Sequence, residues 1–285
     1  MNEFMQILKK GKEKLKQSDI TTFSLDAELI MGYVTGESRE RMLAGLVNEI
    51  SDDNADRFLD LIDRRASKYP VQYITNYQEF MSLPFYVDER VLIPRPDTEI
   101  LIENVIKCCK NKKNIVLLDI CTGSGCIAIS IAKYMEDISI IAVDISNDSL
   151  MVATYNADIN NVLDKITFIQ SDLFESLAKD YMNVFDIIVS NPPYIERGEI
   201  PKLSREVKDF EPRLALDGGN SGLDFYRKIT KESGMYLKNN GKIFYEIGYN
   251  QGNAVKNILV ENGFRDIEIT KDLAGLDRCV VGELE

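Results

Sequence analysis

Val116-Leu117-Leu118-Asp119-Ile120-Cys121-Thr122-Gly123-Ser124-Gly125 runs from an apolar stretch into a glycine-spaced turn, and a helical pattern opens at Cys126. A strand, a tight turn and a helix in that order make the first half of a βαβ unit. Gly123 and Gly125 let the backbone approach a ligand closely at the helix N-terminus, where unpaired N–H groups favour anions. No Lys-Ser or Lys-Thr pair follows, so the turn is not a Walker A phosphate loop.

Outward from this turn, strand-like and helical stretches alternate. Strands are predicted over residues 115–119, 138–144, 166–170, 185–190, 242–247, 267–270 and 278–282. Helices are predicted around 126–135, 148–158, 173–180, 223–238 and 251–262. This alternation predicts a doubly wound, mainly parallel sheet. Residues 1 to about 78 instead repeat apolar side chains at helical spacing, as in Phe4, Ile7, Leu8, Leu15 and Leu25, Leu29, Ile30, Tyr33. That spacing predicts a small helical domain, with caps at Thr22 or Ser24 and at Ser51-Asp52-Asp53, and a helix stop at Gly36. Between the two regions Phe80, Leu83, Phe85, Val87 and Val91 alternate with polar residues, and Pro84 favours an edge hairpin. The segment Ile93-Pro94-Arg95-Pro96-Asp97-Thr98-Glu99 is stiffened by its prolines and leads into a helix ending near Cys109.

Acids end three successive strands. Gly123-x-Gly125-x-x-Ala128 followed by Asp144 fits a nucleotide cofactor whose ribose hydroxyls the carboxylate accepts, and NAD and S-adenosylmethionine suit it equally. Asp119 faces an amino acid ammonium or caps the helix. Asp172 accepts from an adenine amine with Leu173 packed on the ring, or the two are a turn acid and a core residue.

Ser190-Asn191-Pro192-Pro193-Tyr194 ends the fourth strand. Proline lacks the backbone donor and holds the residue before it extended, so the chain must leave the sheet here. An Asn amide, two carbonyls and an aromatic ring then stand in a stiff turn. Such a set suits a planar NH2 group, whose hydrogens the oxygens accept and whose face the ring covers. A rigid strand exit with no ligand is the plainer alternative.

Composition removes other chemistries. The 285 residues include no histidine, which excludes Ser-His-Asp and Cys-His triads and the HExxH zinc site. Five cysteines without a CxxC pair fit a reducing compartment and make structural zinc an unfavoured reading. The formal net charge of −12 opposes nonspecific nucleic-acid binding, although Lys107, Lys110, Lys112 and Lys113 form a local basic cluster. No stretch has the length of a membrane span, and the expected location is the cytoplasm.

The order of these features resembles class I amino-methyltransferases, and more specifically the PrmC/HemK family of peptide-chain release factor N5-glutamine methyltransferases. Residues 93–99, 119–128 and 190–195 carry the resemblance. Glu211-Pro212-Arg213-Leu214-Ala215-Leu216, Gly218-Gly219, Gly222-Leu223, Glu246-Ile247-Gly248, Gln251-Gly252, Asp272-Leu273-Ala274-Gly275 and Arg278 extend it. One departure is Cys121, where the family usually has Gly.

The resemblance implies a Rossmann-like, mainly parallel seven-stranded sheet over 96–285, a hairpin linker over 79–95 and a helical substrate-binding domain over 1–78. It implies S-adenosylmethionine as cofactor, S-adenosylhomocysteine as product, and methyl transfer to the glutamine amide of a Gly-Gly-Gln motif in release factors. Asp119, Cys121, Thr122, Gly123, Ser124, Gly125, Asp144, Asp172, Leu173 and Asn191 are then the cofactor residues. Asn191, Pro192, Pro193 and Tyr194 are the catalytic and substrate residues: Asn191 Oδ1 and the Pro192 carbonyl accept the two N–H groups, and Tyr194 clamps the planar amide. Residues 93–99 close over the cofactor, and residues 195–222 shape the substrate mouth. Neither membrane nor direct nucleic-acid contact is expected. An adenine-N6 methyltransferase acting on nucleic acid is the alternative, since it grips an adenine amine with the same motif. A nicotinamide-dependent oxidoreductase leaves Asn191–Tyr194 unexplained, and a noncatalytic binding module is the remaining alternative.

Overall fold

The computed structural model describes residues 2–285. The chain divides into two compact units, one taking the chain up to Tyr77 together with Ser204–Phe210, the other Gln78–Leu203 with Glu211–Glu285.

The first unit is helical: α1 (Glu3–Gln17), α2 (Phe23–Thr35), α3 (Arg39–Leu43), α4 (Asp52–Ala66) and α5 (Val71–Thr75). Ser51 caps α4 by accepting from the Asn54 N–H, and Gly36 ends α2 in the left-handed region at φ 73°. Thr22 stands at the N-cap of α2, but its hydroxyl donates to Asp26 rather than serving the backbone. Phe4, Leu8, Leu15, Ile30, Phe58 and Ile62 fill the core at the spacing that one face of each helix provides.

A buried arginine ties the far-removed segment to these helices. Arg65 Nε donates to Asp26 Oδ2 at 2.7 Å, Nη1 to the Tyr69 carbonyl at 3.2 Å and Nη2 to Glu206 Oε1 at 2.8 Å. Phe210 meets Tyr69 edge-on, with ring centroids 5.2 Å apart. Three acceptors around one planar guanidinium satisfy its fork geometry and make its burial tolerable.

The second unit opens with a hairpin, β1 (Gln78–Phe80) and β2 (Leu83–Phe85), closed by Met81 and Ser82 at φ 50° and 56°. Two positive φ values are what a two-residue turn matched to strand twist requires. The alternation toward Val91 continues as buried loop, not strand. After α6 (Thr98–Cys109) come β3 (Ile115–Ile120), α7 (Cys126–Tyr134), β4 (Ile138–Asp144), α8 (Asn147–Ile159), β5 (Ile166–Gln170) and β6 (Phe185–Ser190). The chain ends with α9 (Asp224–Ser233), β7 (Leu237–Glu246), α10 (Gly252–Glu261), β8 (Phe264–Lys271) and β9 (Asp277–Leu284).

These strands form one seven-stranded sheet in the order β5-β4-β3-β6-β7-β9-β8. The pairs from β5 to β7 are parallel, and β9 runs antiparallel between β7 and β8. Successive side chains on β3 serve opposite cores. Leu117 packs with α6 and α7 residues such as Leu101 and Ile127, whereas Leu118 packs with Tyr226 and Ile229 of α9 and Val255 of α10. A strand buried on both faces needs apolar residues at both parities, and Ile115–Ile120 has them apart from Asp119.

The helix expected over 173–180 is absent. Leu173 takes φ 51°, the Ser171 hydroxyl accepts from the Ser176 N–H at 2.9 Å, and only a 3-10 turn forms at Lys179–Tyr181. A left-handed residue and a side chain competing for a backbone donor stop the helix before it nucleates. The buried side chains of Leu173, Phe174 and Leu177 still reach the core, which is what their spacing recorded.

Among the described residues no helix is long and apolar enough to cross a membrane, and no group of three or more Cys, Asp or Glu side chains is set to hold a metal ion.

Asp26→Ala removes the buried partner of Arg65. It should cost the helical unit about 3 kcal/mol, the range for stranding one half of a buried pair. Chemical denaturation followed by circular dichroism reads this as an earlier first transition.

Candidate active site

β3 lies at the sheet's switch point, because the chain winds outward through β4 and β5 on one side and β6 and β7 on the other. Crevices at the carboxyl ends of such strands are where doubly wound folds bind ligands. A cavity of about 250 Å³ opens here. Cys121, Thr122, Gly123 and Ser124 line it from the β3 turn, Asp144 from β4, Asp172 and Leu173 from the turn after β5, and Asn191 and Pro193 from the β6 exit. Pro94, Arg95 and Thr98 line it from the proline-bracketed segment. Asp119, Gly125, Pro192 and Tyr194 are not themselves among the lining residues but adjoin them in the chain.

Asp119 is fully buried. Its Oδ2 accepts from the Thr122 hydroxyl at 2.6 Å, while Oδ1 has no hydrogen-bond partner. Burial pushes its pKa up to about 7, with the Thr122 hydrogen bond acting in the opposite direction. Asp144 holds the turn from the next strand: Oδ2 accepts from the Gly123 N–H at 2.9 Å and Oδ1 from the Ser146 N–H at 2.9 Å. Burial raises its pKa as well, against those backbone hydrogen bonds.

The two glycines do different work. Gly123, at φ 54°, faces open space where a ligand can approach. At Gly125, φ 80°, a Cβ would meet Ile129 Cδ1 at 2.8 Å and Ala153 Cβ at 3.1 Å, so this glycine packs α7 against α8. Cys121 also adopts a left-handed φ of 62°, the conformation for which glycine is the unstrained choice.

The β6 exit is braced from several directions. The Ser190 hydroxyl donates to the Ile120 carbonyl at 2.6 Å, fixing the start of the loop to the β3 turn. Gln251 Nε2 donates to the Tyr194 carbonyl at 2.9 Å and the Gly222 carbonyl at 3.2 Å, while its Oε1 accepts from the Gly248 N–H at 2.9 Å. The chain returning from its excursion lies directly on the loop: Ile195 N–H donates to the Leu216 carbonyl at 3.0 Å and Gly218 N–H to the Ile195 carbonyl at 2.9 Å. A Cβ on Gly218 would sit 2.7 Å from Tyr194 Cα and 2.8 Å from the Pro193 carbonyl oxygen.

Asn191 Nδ2 donates to the Thr98 hydroxyl at 3.4 Å. The Tyr194 hydroxyl donates to Glu246 Oε1 at 3.3 Å, and its ring packs on the core. Glu246 is buried at the end of β7, and burial pushes its pKa up to about 7 against the attraction of Arg278 and the Tyr194 hydrogen bond. Arg278 in turn pairs with Asp97 at 3.2 Å and Asp272 at 3.0 Å. Sequence reading left Glu246 and Gln251 without roles. Their signal was the Glu246-Ile247-Gly248…Gln251 run closing a strand beside the proline exit.

The PrmC N-terminal domain family matches residues 6–75, and the methyltransferase small domain family matches residues 96–207. The chain is 43% identical to the release factor glutamine methyltransferase of Clostridium acetobutylicum over 95% of each sequence. It is 40% identical to that of Clostridium botulinum over 96% of each. Among solved structures, the hMettl16 catalytic domain in complex with MAT2A 3'UTR hairpin 6 aligns with a TM-score of 0.59 at 17% identity over 84% of each chain, a likeness of fold.

Two outcomes are expected. The folded state holds the Asp119 proton up to about pH 7, against an ordinary value of 3.8, so its contribution to stability is full below that value and is lost as pH rises through 7. Asp119→Asn should therefore flatten the fall in unfolding free energy between about pH 4 and 7, a change of about 4 kcal/mol at most. Denaturant titrations of the ligand-free protein across that range measure it. Gly218→Ala should destabilise the second unit by about 1–3 kcal/mol through overpacking against the Pro193–Tyr194 backbone, visible as a lower melting temperature.

Proposed function

This chain belongs to the release factor glutamine methyltransferase family, and we propose that it methylates N5 of the glutamine in the Gly-Gly-Gln motif of peptide-chain release factors. The observation that carries this reading is that Asn191, at a proline-locked strand exit, opens onto the same cavity as the glycine turn of β3. S-adenosylmethionine, when bound, supplies an electrophilic sulfonium methyl.

The residues present fit that cofactor. The unpartnered, buried Asp119 Oδ1 is an acceptor awaiting a cationic donor such as an ammonium, and Thr122 keeps the carboxyl in place. Asp144 has its oxygens anchored by backbone N–H groups and keeps lone pairs for ribose hydroxyls. Leu173 offers an apolar face and Asp172 an exposed carboxylate to an adenine.

An amide nitrogen is a poor nucleophile because its lone pair is delocalised into the carbonyl. Asn191 Oδ1 and the Pro192 carbonyl accept its two N–H groups, which hold the amide plane, localise the lone pair and stabilise positive charge as nitrogen forms its new bond. One N–H proton is lost after transfer, when the nitrogen is cationic and strongly acidic. Tyr194 acts from outside the lining, where its hydroxyl on Glu246 keeps the loop from shifting.

Asn191→Ala should lower turnover by roughly 100-fold or more, the scale for losing one preorganised polar contact to the reacting group. Cofactor affinity measured by calorimetry should change less than about tenfold, since Asn191 is one contact among many. Mass spectrometry of a co-incubated release factor should find one methyl on the Gly-Gly-Gln glutamine. Normal turnover in this variant, or methylation of nucleic acid in place of the release factor, rejects the reading.

A further inference from the structure

Asn156 of α8 is fully buried, and both hydrogens and the oxygen of its amide are engaged. Oδ1 accepts from the Tyr86 N–H at 2.7 Å, while Nδ2 donates to the Tyr86 carbonyl at 3.0 Å and to the Ser124 carbonyl at 2.9 Å. Turning the amide over would set donor on donor and acceptor on acceptor, so its partners fix its orientation.

Two other polar side chains share this face. The Ser149 hydroxyl donates to the Arg90 carbonyl at 3.0 Å, and Asn160, at the C-terminal cap of α8, donates through Nδ2 to the Pro84 carbonyl at 2.9 Å. Residues 149, 156 and 160 are spaced by seven and four, which returns to one side of a helix with about 3.6 residues per turn. Residues 90, 86 and 84 meet them in that order, so the backbone leaving the hairpin runs antiparallel along α8. It finds there the partners that a neighbouring strand would have given it. Of the three side chains, only Asn156 also hydrogen-bonds to the glycine turn of β3.

Ser124 stands between Gly123 at φ 54° and Gly125 at φ 80°, and glycines place little restraint on the peptide planes beside them. The Ser124–Gly125 peptide is held instead by its partners: the carbonyl by Asn156, and the Gly125 N–H by the Thr122 carbonyl at 2.9 Å. Resting on the cofactor reading given above, we infer that Asn156 is a positioning residue for S-adenosylmethionine. It fixes the Ser124–Gly125 peptide in its binding arrangement and ties that peptide to the segment after Tyr86, whose Arg90, Val91 and Leu92 line the same cavity. Ser124 lines the cavity as well, so a turned peptide would aim its carbonyl dipole at the space a ligand must fill. Without Asn156 the turn populates such arrangements, and the cofactor must reverse them as it binds. Affinity then falls in proportion to the fraction of molecules that are correctly set. Once the cofactor is in place the turn is set again, and the chemical step is spared.

The test measures S-adenosylhomocysteine binding by calorimetry and steady-state methylation of a release factor, both with the full-length chain. Asn156→Leu keeps the approximate shape of the side chain and leaves the Ser124 carbonyl and both Tyr86 backbone groups without their partner. It should weaken S-adenosylhomocysteine binding about 10-fold or more, the consequence of stranding buried polar groups beside the ligand. KM for S-adenosylmethionine should rise by the same factor, while kcat stays within about threefold. Asn160→Ala is the comparison, since it takes the partner of the Pro84 carbonyl from the same helix but neither bonds to the turn nor lines the cavity. It should lower the melting temperature and leave the affinity within about threefold. A fall in kcat with KM unmoved, which a merely structural loss of active protein would give, overturns the inference. So does an Asn160→Ala that weakens binding as much as Asn156→Leu, or an Asn156→Leu that binds as the wild type does. If Asn156→Leu does not fold, Asn156→Ala, whose vacated space admits water, carries the same comparison with a smaller shift in the same direction. Calorimetry needs no release factor. A chain that binds S-adenosylhomocysteine but leaves release factors unmethylated rejects the proposed function, and the affinities still decide the role of Asn156. A wild-type chain that does not bind S-adenosylhomocysteine rejects both.

Discussion

Two adjacent prolines deny β6 the backbone donors that would continue it, and the surroundings of the cavity are organised to hold the loop that results. The loop cannot stabilise itself through a ladder, so it draws its hydrogen bonds from elsewhere. Ser190 fastens it to the β3 turn, Gln251 holds its last carbonyl, and the strand-like return of residues 216–219 covers it. Glycine at 218 and 222 follows from that coverage, since any larger residue would occupy the space of the Tyr194 backbone. A rigid loop at a switch point then places the Asn191 amide beside the cavity.

Electrostatics in this region is governed by burial. Asp119, Asp144 and Glu246 all have raised pKa values because water is excluded from the strand ends, and each keeps its place through a few specific hydrogen bonds. An acidic chain with a formal net charge of −12 thus holds these three acids where solvent screens them least. Such groups are poor contributors to stability and effective at ordering polar contacts.

The features legible in the sequence were those whose chemistry is local. Gly123 and Gly125 marked a strand-to-helix turn, and Asn191-Pro192-Pro193 marked a strand exit, because backbone conformation is set within a few residues. Alternation of apolar runs disclosed the parallel sheet. The hairpin was found through Pro84, although its turn residues Met81 and Ser82 carry no turn signature. What stayed hidden depends on partners far along the chain. Nothing near Glu246 announces that it accepts from Tyr194. The helical spacing of Leu173, Phe174 and Leu177 recorded burial, which tight turns satisfied equally well. Asp119 stands near the end of its strand beside the glycine turn, and only the structure shows it fully buried with one oxygen on the Thr122 hydroxyl.

The stretch Ser204–Phe210 belongs to the helical unit although it is spelled out inside the Rossmann-like one. The backbone therefore passes between units at 77/78, at 203/204 and again at 210/211. On the ribosome the five helices emerge first, and Arg65 then has Asp26 but must wait 141 residues for Glu206. By then β6 and its proline exit have already been synthesised. The helical unit is therefore not complete in the chain until Phe210 has been added. Residues up to Tyr77 taken alone would lack Glu206, one of the three acceptors around the buried Arg65.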